Sequence, residues 1–370
     1  MLYKSFHGLK LSCLGMGAMR FPTVDGEVDE VKTAEMLDYC MANGVNYYDT
    51  AWGYHDGKSE LILGRLLGKY PRDSYYLATK FPGFNRENMD NAPAIFARQL
   101  EKCQTTYFDF YLLHSVVESN IDDYLDPTCG VMPYLLEQKR LGRIRHLGFS
   151  THGSLETMKR FLDAYGEHLE FCQIQLNYLD WTYQDAKAKV ELISSYGLPV
   201  WVMEPVRGGR LATLPAIATR KLQALRPEET VPGWAFRFIQ SIPEVCMTLS
   251  GMSSLRQVRE NIATFSEEKP LNETEIQTLL DIAKGVLGGA LPCTACRYCT
   301  AGCPQELNIP ELLEKFNEHC FTGSLSPDAL AQIPAEKGPA ACVGCRSCEA
   351  VCPQKIKISE AMASFAEKLK

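Results

Sequence analysis

The chain contains no uninterrupted run of about 18 apolar residues, so nothing in it reads as a membrane-spanning helix. It has no dense stretch of lysine and arginine, and its formal charge of -7 argues against a nucleic-acid surface. The small basic cluster Lys139-Arg140-Leu-Gly-Arg143-Ile-Arg145 reads as a solvated helix end, where cations suit the dipole. Met1-Leu-Tyr-Lys4 lacks the apolar core of a secretory signal, and a cytoplasmic protein is expected. The dinucleotide fingerprint of a doubly wound sheet is missing as well. Gly15-Met-Gly17 follows a strand-like run but has no third glycine. No flavin motif is visible either.

Cysteine is abundant instead. Fifteen of them would be strange in a reducing compartment unless many bind metal. A hydrophobic share of 46% with 22% charged residues is ordinary for a globular protein, and 370 residues allow one large domain and a smaller one.

After a hairpin-like start over residues 1–10, strand-like and helix-like segments alternate. Strands are expected at 11–21, 45–51, 74–81, 108–115, 144–150, 171–176, 199–203 and 245–249. The helices between and after them are expected at 31–42, 60–69, 92–105, 132–141, 154–165, 184–195, 231–239 and 254–265. Eight such units imply a parallel sheet, and their total length suits a closed (β/α)8 TIM barrel. A doubly wound sheet is the second choice.

The stretch Val45-Asn-Tyr-Tyr-Asp-Thr-Ala-Trp-Gly-Tyr54 stands out within that pattern. Its apolar run stops on Asp49, and Tyr54 follows after a turn. A buried carboxylate needs a cation, although an Asp capping the next helix beside a packing Tyr would look the same locally. Two later strands also end on ionisable groups, Tyr75-Tyr-Leu-Ala-Thr-Lys80 and Phe108-Asp-Phe-Tyr-Leu-Leu-His114. In a barrel the C-terminal strand ends share one face, which would gather Asp49, Lys80 and His114 beneath Tyr54.

Asp49-Thr-Ala-Trp-Gly-Tyr54, Thr79-Lys80 and Leu113-His114 resemble the aldo-keto reductases. So do Gly142–Ser150, Gln173–Asn177, Glu204–Leu211 and Gly251–Asn261, and the resemblance runs over roughly residues 2 to 264. It implies hydride transfer between NAD(P)H and a small carbonyl or alcohol. Tyr54 would be the general acid and Lys80 the cation that eases loss of its proton. Asp49 would hold Lys80, and His114 would orient the substrate oxygen. The resemblance also puts Ser150, Thr151 and Gln175 at the nicotinamide carboxamide, with Gly17, Ala18, Met19 and Asp49 near the first strand ends. It assigns the pyrophosphate to Pro205, Val206, Gly208, Gly209 and Arg210. The adenosine end would fall to Gly251, Ser253, Gln257, Glu260 and Asn261, where a helix N-terminus suits a phosphate.

Three positions depart from the family pattern. Met203 stands where many members stack an aromatic on the nicotinamide, Thr151 replaces a frequent asparagine, and Gly251 replaces a lysine often used on a 2′-phosphate. Arg256 and Arg259 remain as cations for NADP, so NAD and NADP both stay open. Glu204 would contact ribose or substrate, or pair with Arg207 or Arg210.

Beyond Lys269-Pro270 the alternation stops. Residues 272–286 read as one helix and Gly288-Gly289 as a hinge. Cys293, Cys296, Cys299 and Cys303-Pro304 then recur in register as Cys342, Cys345, Cys348 and Cys352-Pro353. This is the ligand run of two-cluster ferredoxins, and soft thiolates at that spacing select [4Fe–4S] clusters. Zinc normally takes two spaced pairs rather than four cysteines in one run. In the two-cluster arrangement Cys352 joins Cys293, Cys296 and Cys299, while Cys303 joins Cys342, Cys345 and Cys348. A helix at 309–319 points to a small, mostly α-helical ferredoxin-like module. The other seven cysteines read as core residues. The expected division is a barrel over 1–268, a linker helix over 269–290 and the ferredoxin-like domain over 291–370.

The two halves differ in electron count, since a nicotinamide gives a hydride and a cluster passes single electrons. A flavin in the barrel mouth or a redox partner protein would reconcile them. Alternatively the clusters serve structure, docking or oxygen sensing.

Overall fold

A computed structural model describes residues 1–286, 291–322 and 334–369, and it separates into two compact units. The first unit, Met1–Pro205 with Gly233–Asn272, is a closed barrel of eight parallel strands. Strands β1 (Tyr3–Phe6) and β2 (Leu9–Ser12) form an antiparallel hairpin, and β4 (Thr23–Val24) pairs β5 (Glu27–Val28) in a second one. The barrel is built from β3 (Leu14–Gly17), β6 (Tyr47–Asp49), β7 (Tyr76–Phe81), β8 (Phe108–Val116), β9 (Ile144–Thr151), β10 (Cys172–Gln175), β11 (Val200–Met203) and β12 (Val245–Ser250). They close in chain order, β12 lying beside β3.

These strands are nearly all buried, as helix-covered parallel strands must be. Tyr47, Phe110, Leu112, Phe171, Trp201 and Met247 fill the interior. Phe6, on the hairpin, packs edge-on against Trp201 with ring centroids 5.0 Å apart, so β1 and β2 stopper the barrel at one end. The strand expected at 11–21 is divided in two. Ser12 Oγ donates to the Leu14 carbonyl, which breaks the run between β2 and β3.

The expected helices occur with end shifts of a few residues, from Glu30–Ala42 to Leu255–Thr264. Three are capped as their sequences dictate. Asp29, Ser154 and Ser254 each accept a backbone N–H from the first turn. Among the described residues no helix is long and apolar enough to cross a membrane.

The second unit is Val206–Pro232 with Glu273–Lys370. Its helices include Ala216–Leu225 and Ile358–Lys368, which the sequence reading missed, besides Glu273–Val286 and Ile309–Thr322. By this division Val206–Pro232 groups with the chain beyond residue 272. A bidentate ion pair shows why: Arg226 reaches both oxygens of Glu275 at 2.6 Å, tying Ala216–Leu225 to Glu273–Val286. The unit has its own core of Leu307, Ile309, Leu312, Leu313, Ile356, Ile358 and Met362, among which Cys299 and Cys348 are buried. The hinge expected at Gly288-Gly289 lies outside the described residues.

Candidate functional site

Parallel strands in one closed sheet bring all their C-terminal ends to one face. Gly17 is in register with Asp49, Asp49 with Ala78, and Lys80 with Leu112. Lys80 is fully buried and its Nζ donates to Asp49 Oδ1 at 2.6 Å and to the Thr50 carbonyl at 2.8 Å. The same Nζ lies 3.4 Å from Tyr54 Oη. The ring of Tyr54 meets that of His114 edge-on at 6.0 Å, and Phe84 lies 5.1 Å from His114.

Burial governs the charges here. It pulls Lys80 below the ordinary lysine range and pushes Asp49 up, each partly offset by the other's charge. His114 is held well below 6.5, first by burial and then by Lys80 and His152, so its imidazole is neutral near pH 7. Asp49 Oδ2 and His114 Nδ1 are buried with no hydrogen-bond partner among the described residues. A guest bearing hydroxyl or carbonyl groups would satisfy such atoms. Ser115, the residue before the last in β8, and Glu204, just past β11, hold left-handed backbone at φ 57° each, a strain typical of sites fixed by their surroundings.

Ser150, Thr151 and Gln175 lie at the ends of β9 and β10. Ser150 Oγ accepts from the Ser115 amide, which leaves its own proton to donate, and Gln175 donates to Asp180. Thr151 instead donates to the Val116 carbonyl. Ala18 is bonded to the Asp49 carbonyl, with Gly17 and half-buried Met19 beside it. Met203 receives the amide of Gln173 on its sulfur. Around the helix Leu255–Thr264, Ser253 N–H donates to Gln257, Asn261 holds Ser250, and Glu260 pairs with Arg256. Arg259 lies over the Tyr39 ring. Gly251 carries the stem of Arg20, since a Cβ there would come within 3.0 Å of it. Glu204 pairs with Arg20 at 3.1 Å. Pro205 ends the barrel segment, whereas Val206, Gly208, Gly209 and Arg210 belong to the second unit.

Behind the strand ends lies a buried polar network the sequence reading did not anticipate. Glu60, with no exposed surface, accepts from Thr79, Gln99 and Lys102 at 2.7, 2.7 and 3.0 Å. Gln99 also donates to the Lys80 carbonyl at 2.9 Å. Lys102 in turn lies 4.2 Å from the Trp52 ring centroid. The only clue was a glutamate within the buried face of an otherwise apolar helix.

In the second unit the cysteines gather around two cavities. Cys293, Cys296, Cys299 and Cys352 line one, with Pro310, Leu313, Ile356 and Ile358 as apolar walls. Cys303, Cys342, Cys345 and Cys348 line the other. Each cavity thus takes three cysteines from one run and the fourth from the other. Among the described residues no three His, Cys, Asp or Glu side chains converge as a single ion requires. A cluster asks less, because each thiolate meets its own iron. Of the remaining cysteines, Cys40, Cys103, Cys129, Cys172 and Cys246 are buried, while Cys13 and Cys320 are half-buried.

Two family models match the two parts of the chain. The family model for the aldo/keto reductase family matches residues 13–284, and that for a 4Fe-4S dicluster domain matches 292–356. L-galactose dehydrogenase of Arabidopsis thaliana is 27% identical over 312 residues, 75% of this chain and 93% of that protein. NADH-specific methylglyoxal reductase of Escherichia coli is 23% identical over 304 residues, 70% of this chain and 91% of that protein. The holo form of the aldo-keto reductase AKR11C1 from Bacillus halodurans superposes with a TM-score of 0.63 at 25% identity, over 76% of this chain and 96% of that one. A family match that runs from β3 through every barrel strand places the chain in the aldo/keto reductase family, as an NAD(P)-dependent oxidoreductase with a 4Fe-4S dicluster domain joined to it.

Proposed function

We propose that the barrel transfers hydride between NAD(P)H and a small carbonyl or alcohol, with Tyr54 giving or taking the hydroxyl proton. The observation that carries this is the shared ammonium: Lys80 Nζ, buried against Asp49, lies 3.4 Å from Tyr54 Oη. A cation at that distance stabilises the phenolate left behind when the proton goes to a forming alkoxide. Neutral His114 donates an N–H to the substrate oxygen without adding charge. A reduced nicotinamide, when bound, supplies the hydride. Ser150 and Gln175 would hold its carboxamide, and the unpartnered Asp49 Oδ2 would accept from a ribose hydroxyl.

The eight cysteines would hold two [4Fe–4S] clusters, supported by the four-thiol lining of each cavity. These clusters would exchange single electrons with an external redox protein.

The relatives' names guide the substrate panel: methylglyoxal with NADH and with NADPH, and L-galactose with NAD. On an accepted substrate, Tyr54→Phe is expected to lower turnover by about 10²–10⁴-fold. Cofactor affinity, read by nicotinamide fluorescence, should change little. Undiminished turnover would remove Tyr54 from the chemistry.

A further inference from the structure

The turn at Val206–Arg210, which the family resemblance assigns to a pyrophosphate, is engaged with the first cysteine run inside the second unit. Arg207 is 1% exposed and donates to Gln354 Oε1 at 3.0 Å, two residues past Cys352. Arg210 donates to the carbonyl of Leu291, two residues before Cys293. Between them Gly208, at φ +65°, lies so close to the Thr294 backbone that a Cβ would sit 2.4 Å from the Thr294 oxygen. The turn therefore grips both segments that supply Cys293 and Cys352.

At the second cavity the counterpart is Lys337, which donates to the carbonyl of Gln305, two residues after Cys303, but is paired with Glu306 at 3.1 Å. The two cysteine runs otherwise match. Each has an exposed arginine in left-handed backbone after its second cysteine, Arg297 at φ 67° and Arg346 at φ 64°. Each of these arginines lines its own cavity. What distinguishes the first set of cysteines is buried Arg207, held on Gln354 of the cavity lining, and half-buried Arg210, held on the Leu291 carbonyl. The Ala295 amide adds a hydrogen bond to Cys293 Sγ at 3.4 Å.

We propose that Arg207 and Arg210 set the cluster on Cys293, Cys296, Cys299 and Cys352 at a higher reduction potential than the cluster on the other four cysteines. An electron entering the module then comes to rest on the first cluster. This rests on the reading that both cavities hold [4Fe–4S] clusters. A cluster with four thiolates is already anionic, and reduction adds one more negative charge. Buried guanidiniums favour the more negative state, whereas exposed Arg297 and Arg346 are screened by water. The step is simple: a low-potential one-electron donor loses an electron, one cluster gains it, and no proton moves.

The test uses the full chain prepared without oxygen, with iron counted first and each cluster then titrated by electron paramagnetic resonance at set potentials. The unmodified chain should show two separate one-electron waves. Arg210→Gln and Arg207→Met should each shift the upper wave downward by about tenfold in the reduction equilibrium, 59 mV for one electron, without moving the lower wave. Arg207→Lys keeps the charge and should leave the upper wave within about threefold. Coincident waves in the unmodified chain, an unmoved upper wave in both neutral variants, or equal movement of both waves would overturn the proposal. So would loss of half the iron in both neutral variants, because the arginines would then hold the run rather than its charge. Absence of cluster iron from the unmodified chain would reject the underlying reading instead.

Discussion

His114 and His152 show how burial sets the working charge of single residues. His152 is lowered to about 4, mainly by burial and then by Lys189, and His114 is held well below 6.5. His55 is lowered too, and its Nε2 accepts the Phe21 amide, which only an unprotonated nitrogen can do. Unfolded histidines titrate near 6.5, so below that pH the unfolded chain binds more protons than the folded one. Stability should therefore fall on acidification from pH 6.5, by about 1.4 kcal/mol per pH unit for each histidine still neutral in the fold. The His152 share should run from 6.5 down to about 4. Denaturant titrations read by tryptophan fluorescence at pH 7, 6 and 5 would measure the slope. His152→Asn should reduce it by one proton; an unchanged slope would mean His152 does not carry this linkage.

At the scale of elements, the network behind Lys80 rests on a close approach of two helices. Gly64, in the helix Ser59–Leu67, faces the C-terminal end of the helix Ala92–Lys102, where a Cβ would lie 2.6 Å from the Cys103 carbonyl carbon and 2.7 Å from the Lys102 oxygen. Those are backbone atoms and cannot swing aside. Gly64→Ala should cost about 1–3 kcal/mol through overpacking. Because Glu60 sits one turn earlier on that helix and touches Thr79, Gln99 and Lys102, the displacement should also disturb the support of Lys80. In contrast, Gly285 meets nothing within 4 Å among the described residues, and Gly285→Ala should be neutral or stabilise by about 0.5–1 kcal/mol through helix propensity. Paired melting curves would check both, and equal effects would dismiss the packing argument.

For the whole molecule, the two chemistries lie in separate units and should be separable. The chain prepared without oxygen should carry about eight iron and eight sulfide. Cys299→Ser should remove or weaken one cluster and block activity with a one-electron donor or acceptor. NAD(P)H-driven carbonyl reduction should survive, since Asp49, Tyr54, Lys80 and His114 all belong to the barrel unit. Parallel loss of both activities in a folded variant would point to a structural cluster. Stoichiometric zinc without broad visible absorption would refute the cluster assignment altogether.

The order of the barrel was legible because eight β/α units of regular length have one short, closed solution, and the strand-end residues Asp49, Lys80 and His114 then had to share a face. The two cysteine runs were legible because ligand spacing is local in sequence. What stayed hidden depends on contacts between distant segments. Glu60 becomes a buried acceptor only once Thr79, Gln99 and Lys102 surround it. Glu204 pairs with Arg20, 184 residues away, because β3 and β11 end at the same barrel mouth. Arg207 and Arg210, in the turn the family resemblance assigns to a pyrophosphate, reach Gln354 and Leu291 only because folding joins Val206–Pro232 to the cluster-bearing unit. Residue type and spacing decided which chemistries this chain can hold, while tertiary packing decided which cation serves which of them, because a buried charge acts on whatever neighbour the fold leaves beside it.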